Sequence, residues 1–416
     1  MRTLYGDGIH DDTLALQERI DGAGCELRLP EPKVRYLISA PLELPSNFRL
    51  VLPRYAEVRL ADGSDCVMLR NRTVPGPARR VNDGIFDYVN VYSPDAPCEN
   101  IEVTGGIWNL NNRGQSPNPL LIKSGDGNWN FKTSSPTEKS PDDPSNAAPS
   151  YNGYIFLFYH VKNLRISSLT LKDPVTFAVT LDRVSYFTVD HITFDFNYGN
   201  PLACNMDGIH LNGGCHHGSI SELQGACYDD LVALNADEGL GGPISDVTIR
   251  GIRAEDCHSA VRLLSANHPV RNVHISDVYG TFFQYCIGLT RYYETRDRGC
   301  LENITLDNLC VSKAERLPVY NHNNPGEWVF ALIHADSRLL IRNLRISDFH
   351  RSERINPVET IYVDRDAEID GLFLENVTAE NLTGGGEMPL MVNRGTIRKL
   401  RASAVYSDGE EWTPGV

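Results

Sequence analysis

The ten cysteines of this chain include no Cys-x-x-Cys pair, which removes the usual spacing of zinc ribbons and thioredoxin-like redox centres. Cations are scarce. Lys and Arg number 39 against 54 Asp and Glu, a net charge of −15. Nucleic acid and anionic membrane surfaces are therefore not expected partners, since both need clustered Lys and Arg. No run approaches the ~20 apolar residues of a membrane-spanning helix. The opening MRTLYGDGIHDDTLALQERI lacks the apolar segment of a secretory signal. With Met1 as the native start, the expectation is a cytoplasmic protein; with a leader removed, a secreted one.

Hydrophobic residues make up 41% and charged residues 22%, a globular composition. The cysteines tend to precede strand-like runs, as in ACYDDLVAL and DCHSAVRLL. They read as buried free thiols, because cysteine packs as a small hydrophobe.

What the chain has in plenty is repetition. Polar residues followed by apolar-x-apolar recur as NIEV ending at Val103, NLRI at Ile166, YFTV at Val189, HGSI at Ile220 and DVTI at Ile249. The series continues with NVHI at Ile275, NITL at Leu306, NLRI at Ile346, GLFL at Leu374 and KLRA at Ala402. From Ile166 onward the intervals are 23, 31, 29, 26, 31, 40, 28 and 28 residues. Such a period marks a solenoid or array. The apolar residues alternate with period 2 and many are β-branched, so the units are strands. The intervals are mostly too short for propeller blades. The reading is all-β: a single right-handed parallel β-helix, in which each coil buries its apolar face against its neighbours. Asn before the apolar pair suits coil corners, where it tolerates left-handed geometry and can stack into ladders. The glycosylation-type sequons at Asn71, Asn303, Asn376 and Asn381 are read as such corners.

Two regions break the rhythm. The segment DDTLALQERIDGAG, with Asp11 or Asp12 as cap and Leu14, Leu16 and Ile20 as apolar positions, predicts a short helix over Asp12 to Ile20 that closes the open end of the stack. Residues 112–151 are rich in Pro, Ser, Asn, Asp and Gly and predict one long inserted loop. Trp129 and Phe131 make that loop a candidate wall beside a sugar site.

The stretch NMDGIHLNGGCHHGSISELQGACYDDL carries two acidic turns. Asp207 lies 22 residues before Asp229, and Asp230 follows directly. Each turn precedes an apolar-x-apolar strand, and 22 residues make about one coil. Stacked coils lie ~4.8 Å apart, so three carboxyls are expected to crowd one outer face. Like charges that close raise one another's pKa values, a cost that is put to use in acid–base catalysis.

These turns resemble glycoside hydrolase family 28, the polygalacturonases and their relatives. The family's NTDG turn corresponds to Asn205-Met206-Asp207-Gly208, and its G(D/Q)DC(I/V)A(I/L) turn to Tyr228-Asp229-Asp230-Leu231-Val232-Ala233-Leu234. The opening YGDGIHDDTLALQ resembles the first segment of many β-helix carbohydrate enzymes. The likeness spans Tyr5 to Cys310 and is strongest from Tyr154 to Asn235. It implies inverting hydrolysis of a plant-derived, pectin-type oligosaccharide, without a cofactor or metal. Asp229 would be the general acid, and Asp207 and Asp230 would hold and deprotonate the attacking water. Inversion requires roughly 6.5–9.5 Å between acid and base. Asn205 and Tyr228 would flank the bound sugar.

The family's GHG turn and RIK strand are not intact. AEDCHSAVRLLSAN fits either one. As the His turn it supplies His258, and CIGLTRYY then puts Gly288 and Thr290 at the RIK positions. As the RIK strand it supplies Arg262, with Leu264 in place of Lys. His258 and Arg262 are candidate substrate ligands, and Arg291, Tyr292 and Tyr293 are available to rebuild the subsite. CHHG at Cys215 to Gly218 invites a metal reading, but adjacent histidines in a strand point to opposite faces, so a loop is expected. Asp237 and Glu238 read as solvated turn acids. Two other functions use the same fold: a lyase or uronate C5-epimerase, whose carboxylate neutraliser is commonly Ca²⁺, and a non-catalytic glycan-binding β-helix. The oligomeric state leaves no trace in the sequence.

Overall fold

The computed structural model describes residues 1–72, 98–123, 125, 127, 129–131, 153–292, 297–315 and 329–413, with the short strands 78–80 and 88–90. Its core is a ladder of parallel strands. Leu27, Leu50, Val103, Ile166, Val189, Ile220, Ile249, Ile275, Leu306, Ile346, Leu374 and Ala402 pair in register, each with the next. All ten repeats seen in the sequence fall on this one column. Leu50 through Leu374 are buried, and with their neighbours they form one continuous apolar core. The chain is thus a parallel β-helix, with the right-handed sense that parallel crossovers take.

Corners are made by left-handed residues. Asn47, Asn100 and Asn163 have φ of 57°, 55° and 63°, and each amide bonds the next, at 2.6 and 2.7 Å. A second ladder runs Asp246, Asn272, Asn303 and Asn343, at 2.8, 3.0 and 2.9 Å. Left-handed geometry costs Asn little. Stacking satisfies its amide while the strand hydrogen bonds continue through the bend. Hence Ile244–Leu264 is one hydrogen-bonded run of 21 residues, although it turns at Gly251 and Asp256, where φ is positive.

The helix spans Thr13–Gly22 and buries Ala15, Leu16 and Ile20 against the first coils. Leu14, expected to face inward, is exposed. Asp12 does not cap the helix through its side chain; its carboxylate accepts the amides of Tyr5 and Gly6 and fastens the N-terminal strand. Residues 112–151 are not one plain loop in their described part. Asn112–Gly114 is a 3-10 turn, and Leu121–Lys123 pairs antiparallel with Trp129–Phe131; 132–151 lie outside the described residues. All ten cysteines are free, and six are buried; Cys25 and Cys310 are exposed, against expectation. Among the described residues no helix is long and apolar enough to cross a membrane.

Candidate active site

A second column, beside the core column, faces outward. Thr180, His210, Ala233, Arg262, Gly288, His334 and Tyr362 pair in register across six coil steps. The acidic turns enter this face just before strands Ile209–Asn212 and Asp230–Asn235. They lie side by side: Tyr228 N–H donates to the Met206 carbonyl and Gly208 N–H to that of Asp230. The Gly in this turn is required by space. A Cβ on Gly208 would stand 2.5 Å from the Leu231 carbonyl oxygen and 2.9 Å from the Phe194 ring.

Asp207, Asp229 and Asp230 are all buried, and Arg262 binds two of them. Its Nη2 lies 3.2 Å from Asp229 Oδ1 and 2.7 Å from Asp230 Oδ2. Its Nε donates to the Tyr285 hydroxyl at 3.0 Å, and that hydroxyl donates to Asp230 Oδ1 at 3.2 Å. The Tyr292 ring lies against the guanidinium, 4.9 Å away. Both oxygens of Asp230 are thus engaged. Asp207 differs: Oδ2 meets His210 Nδ1 at 2.7 Å, while buried Oδ1 has no partner among the described residues. His258 Nδ1 sits 3.7 Å from Asp229 Oδ1. Below, the Cys227 and Cys257 thiols stack 3.6 Å apart, and Cys227 donates to the Asp229 carbonyl.

Burial pushes the Asp207 carboxyl up to about 6, with Asp229 adding to the push and His210 opposing it. Burial also lifts Asp230 well above the ordinary carboxylate range, against the pull of Arg262. Asp207 and Asp230 therefore hold protons to higher pH than isolated carboxylates, and they titrate together rather than singly. His210 is the opposite case. Burial works against its charge, but Glu238 and Asp207 outweigh it and raise it to about 10. Its Nε2 lies 2.8 Å from Glu238 Oε2, and its ring stacks on Phe177 at 3.8 Å.

Asp230 pairs with Ser259 and Ala233 with Arg262, so His258 and Arg262 both lie in the coil directly after Asp229. Gly288 and Thr290 lie one coil further on, paired with Arg262 and Leu264. The room over Gly288 is taken by Tyr285, whose Cζ would lie 2.4 Å from a Cβ there. Arg291 turns elsewhere: it donates to the Asp297 carbonyl at 2.8 Å, and its backbone N–H to Asp336. Tyr293 lies outside the described residues. Asn205 sits at the turn with φ of 47°, its side-chain oxygen near the Cys204 thiol. Tyr228 is half-buried, its ring 5.1 Å from that of the exposed Tyr198.

Three expectations change. Asp237 is not a solvated turn acid; it is buried and accepts the amides of Ala266, Asn267 and His268 in the next coil. Glu238 is not solvated either, since it closes on His210. The CHHG histidines are not in a loop. His216 opens strand His216–Ala226, and left-handed His217, φ 56°, brings their Nδ1 atoms to 2.7 Å on the surface. Among the described residues no group of three or more His, Cys, Asp or Glu is placed to hold a metal ion. Sequence reasoning passed over His210 and Tyr285. His210 was accessible, because Ile209 and Leu211 point inward and force it outward beside Asp207. Tyr285 was signalled only by Gly288, three residues on.

No protein-family model matches the chain, and no curated protein matches it in sequence. Solved structures do. An exopolygalacturonase from Thermotoga maritima superposes with TM-score 0.55 at 16% identity, covering 98% of this chain and 90% of that one. An endo-xylogalacturonan hydrolase from Aspergillus tubingensis gives 0.54 at 14%, covering 97% and 99%. The surface adhesin PfbA of Streptococcus pneumoniae gives 0.50 at 13%, covering 98% and 91%. At these identities the likeness is one of fold: this chain is similar in its parallel β-helix to pectin-degrading hydrolases of the polygalacturonase type and to an adhesin.

Proposed function

We propose that the chain is an inverting glycoside hydrolase that acts on a pectin-type or related plant oligosaccharide. One observation carries this reading: three buried carboxyls from two adjacent coils meet on one outward face, with only one guanidinium among them. Such crowding is destabilising, a cost that is typically retained where a perturbed pKa is put to use. In the reaction, Asp229 protonates the glycosidic oxygen as its bond to the anomeric carbon breaks. Water attacks that carbon from the opposite face and loses a proton to a carboxylate. Asp207 suits that second role, because its Oδ1 is unclaimed while both Asp230 oxygens are held. Asp230, fixed by Arg262 and Tyr285, holds the geometry. Asn205, Tyr228, His258 and Arg262 are the proposed surroundings of the sugar, and Arg262 reaches it only through the acids. Arg291 is proposed to border the far rim.

The segment around Asn112 and Asn118 supports exo-action. Asn118 bonds the carbonyls of Val175 and Cys204, and Asn112 bonds Asn197. These contacts plant it beside the Asn205 turn, and its proposed role there is a wall that closes one end of the sugar site. The adhesin's likeness favours a second reading, a glycan-binding β-helix without catalysis. The Asp229→Asn variant tests the first. It should lower kcat on a natural oligosaccharide by at least ~10², and by less on an aryl glycoside, whose leaving group needs little protonation. Equal losses on both substrates, or none, would remove Asp229 as the acid. Ultraviolet absorbance from an unsaturated product would replace hydrolysis by a lyase reaction.

A further inference from the structure

Five carboxyls gather on the cleft face: Asp182, Asp207, Asp229, Asp230 and Glu238. Asp182 lies one coil before His210, accepts from Asn212 at 3.2 Å, and is buried. Against them stand Arg262 and His210, both committed, with the His258 imidazole 3.7 Å from Asp229 as the other titratable base at the cluster. Arg262 is divided between Asp229, Asp230 and the Tyr285 hydroxyl; His210 is clamped between Asp207 and Glu238. The coil that follows offers Gly288 and Thr290, with the Tyr285 ring laid over the glycine. His334, next in the column, lies 3.0 Å from Asp336, and the Arg291 guanidinium is turned to the Asp297 backbone carbonyl while its backbone N–H donates to Asp336. Buried side-chain atoms on this face with no partner among the described residues include Thr180 Oγ1, Asp182 Oδ1, Asp207 Oδ1, the Asn235 amide, Thr290 Oγ1 and His334 Nδ1. They are hydroxyls, an amide, acid oxygens and one imidazole nitrogen further along the column. Such groups satisfy sugar hydroxyls. Beside the acids they give a sugar carboxylate no uncommitted guanidinium or ammonium to pair with, and leave it facing surplus negative charge in a poorly screened site.

We propose that the sugar ring held at the acid cluster is uncharged, so that the chain selects a neutral glycoside over the corresponding uronide. The inference rests on the hydrolase reading for its location and deepens it. Discrimination comes from repulsion by the acids and from the commitment of Arg262, and should amount to at least about tenfold.

The test uses sugar pairs that differ only at C6, hydroxymethyl against carboxylate: oligosaccharides of galactose and galacturonate, and of glucose and glucuronate, with their aryl glycosides. Binding is measured by calorimetry and turnover by product release, both at pH 5 and pH 8. The neutral member should bind at least about tenfold tighter in the pair the site accepts, and the gap should widen at pH 8 as the acids ionise. Glu238→Gln, one carboxylate fewer, should narrow the gap. Tighter binding of a uronide, or failure of every neutral member to bind, would overturn the proposal. So would a gap unmoved by Glu238→Gln, because the repulsion would then have another source or none. Binding of a neutral member without turnover would remove the hydrolase reading and leave this one standing.

Discussion

Replacing Arg262 by methionine would keep the length of the side chain and delete the charge shared by Asp229 and Asp230. Breaking a buried ion pair from one side typically costs about 3–5 kcal/mol, because the remaining charge is left uncompensated. The carboxyls have an escape: they can bind protons. Burial already raises the Asp207 and Asp230 carboxyls, and Arg262 is among the groups that pull both down. Without it both rise further, while in the unfolded chain they keep ordinary carboxylate values. A carboxyl raised in the folded state contributes stability that is complete below the unfolded pKa. That stability is lost as pH climbs through the folded value, here from about 6 for Asp207 upward. The deficit of Arg262→Met should therefore be small near pH 4.5, about 1 kcal/mol or less. It should approach about 3–5 kcal/mol at pH 8. For a chain of 416 residues melting as one unit, that is a Tm loss of about 3–6 °C at pH 8. Calorimetric melts of both proteins at several pH values would show it. A deficit equal across that range, or larger at low pH, would refute the placement of Arg262 as the counter-charge of this cluster.

Gly288→Ala should displace the Tyr285 ring and pull its hydroxyl from Arg262 and Asp230; activity should fall about tenfold or more while unfolding free energy falls by an amount typical of overpacking, about 1–3 kcal/mol, both read on the purified variant. His210→Gln removes the cation that holds Asp207 down, so the acidic limb of the pH–rate profile should move to higher pH by about one unit; an unmoved limb would disconnect His210 from the titrating cluster. Lys313 is a separate case in the later coils. It is buried and donates to the Gln284 and Phe330 carbonyls, and burial lowers it from 10.5 to about 7. Its folded form binds fewer protons than the unfolded chain between those values, so stability should rise with pH from about 7 toward 10, by up to about 5 kcal/mol. Lys313→Met should abolish that rise, and denaturant titrations at pH 7 and pH 9 would detect it.

The fold was legible because a stacked strand must repeat its inward residues, and the repeat ending at Ile166, Ile249 or Leu374 carries that demand in plain alternation. The acidic turns were legible for a related reason: one coil of chain separates Asp207 from Asp229, so sequence distance converted into spatial distance. Other partners did not follow that conversion. Arg262 looked like a ligand waiting for substrate, because nothing local shows that Asp229, 33 residues earlier, takes its charge. Tyr285 reaches Asp230 across 55 residues, and Glu238 reaches His210 by folding its own turn back over the face. Such contacts depend on how long each coil is, and the interval from one coil to the next ranges from 23 to 40 residues here. Leu14 misled for a simpler reason: in a ten-residue helix, a rotation of one position exchanges a buried leucine for a buried alanine.

The inward column from Leu50 to Leu374 and the outward column from Thr180 to Tyr362 divide the molecule's labour. Cohesion in a solenoid is summed over coil interfaces, and the crowded acids add nothing to that sum; buried and like-charged, they subtract from it. Descent without selection for chemistry would therefore shed the acids first and tighten the scaffold in doing so. The outcome would be an inert rod of unchanged shape, with its cleft free to become an adhesive surface. That a hydrolase and an adhesin share this architecture is what such a division of labour leads one to expect. The gradient runs one way, because restoring three aspartates to a stabilised rod would have to be done against its stability.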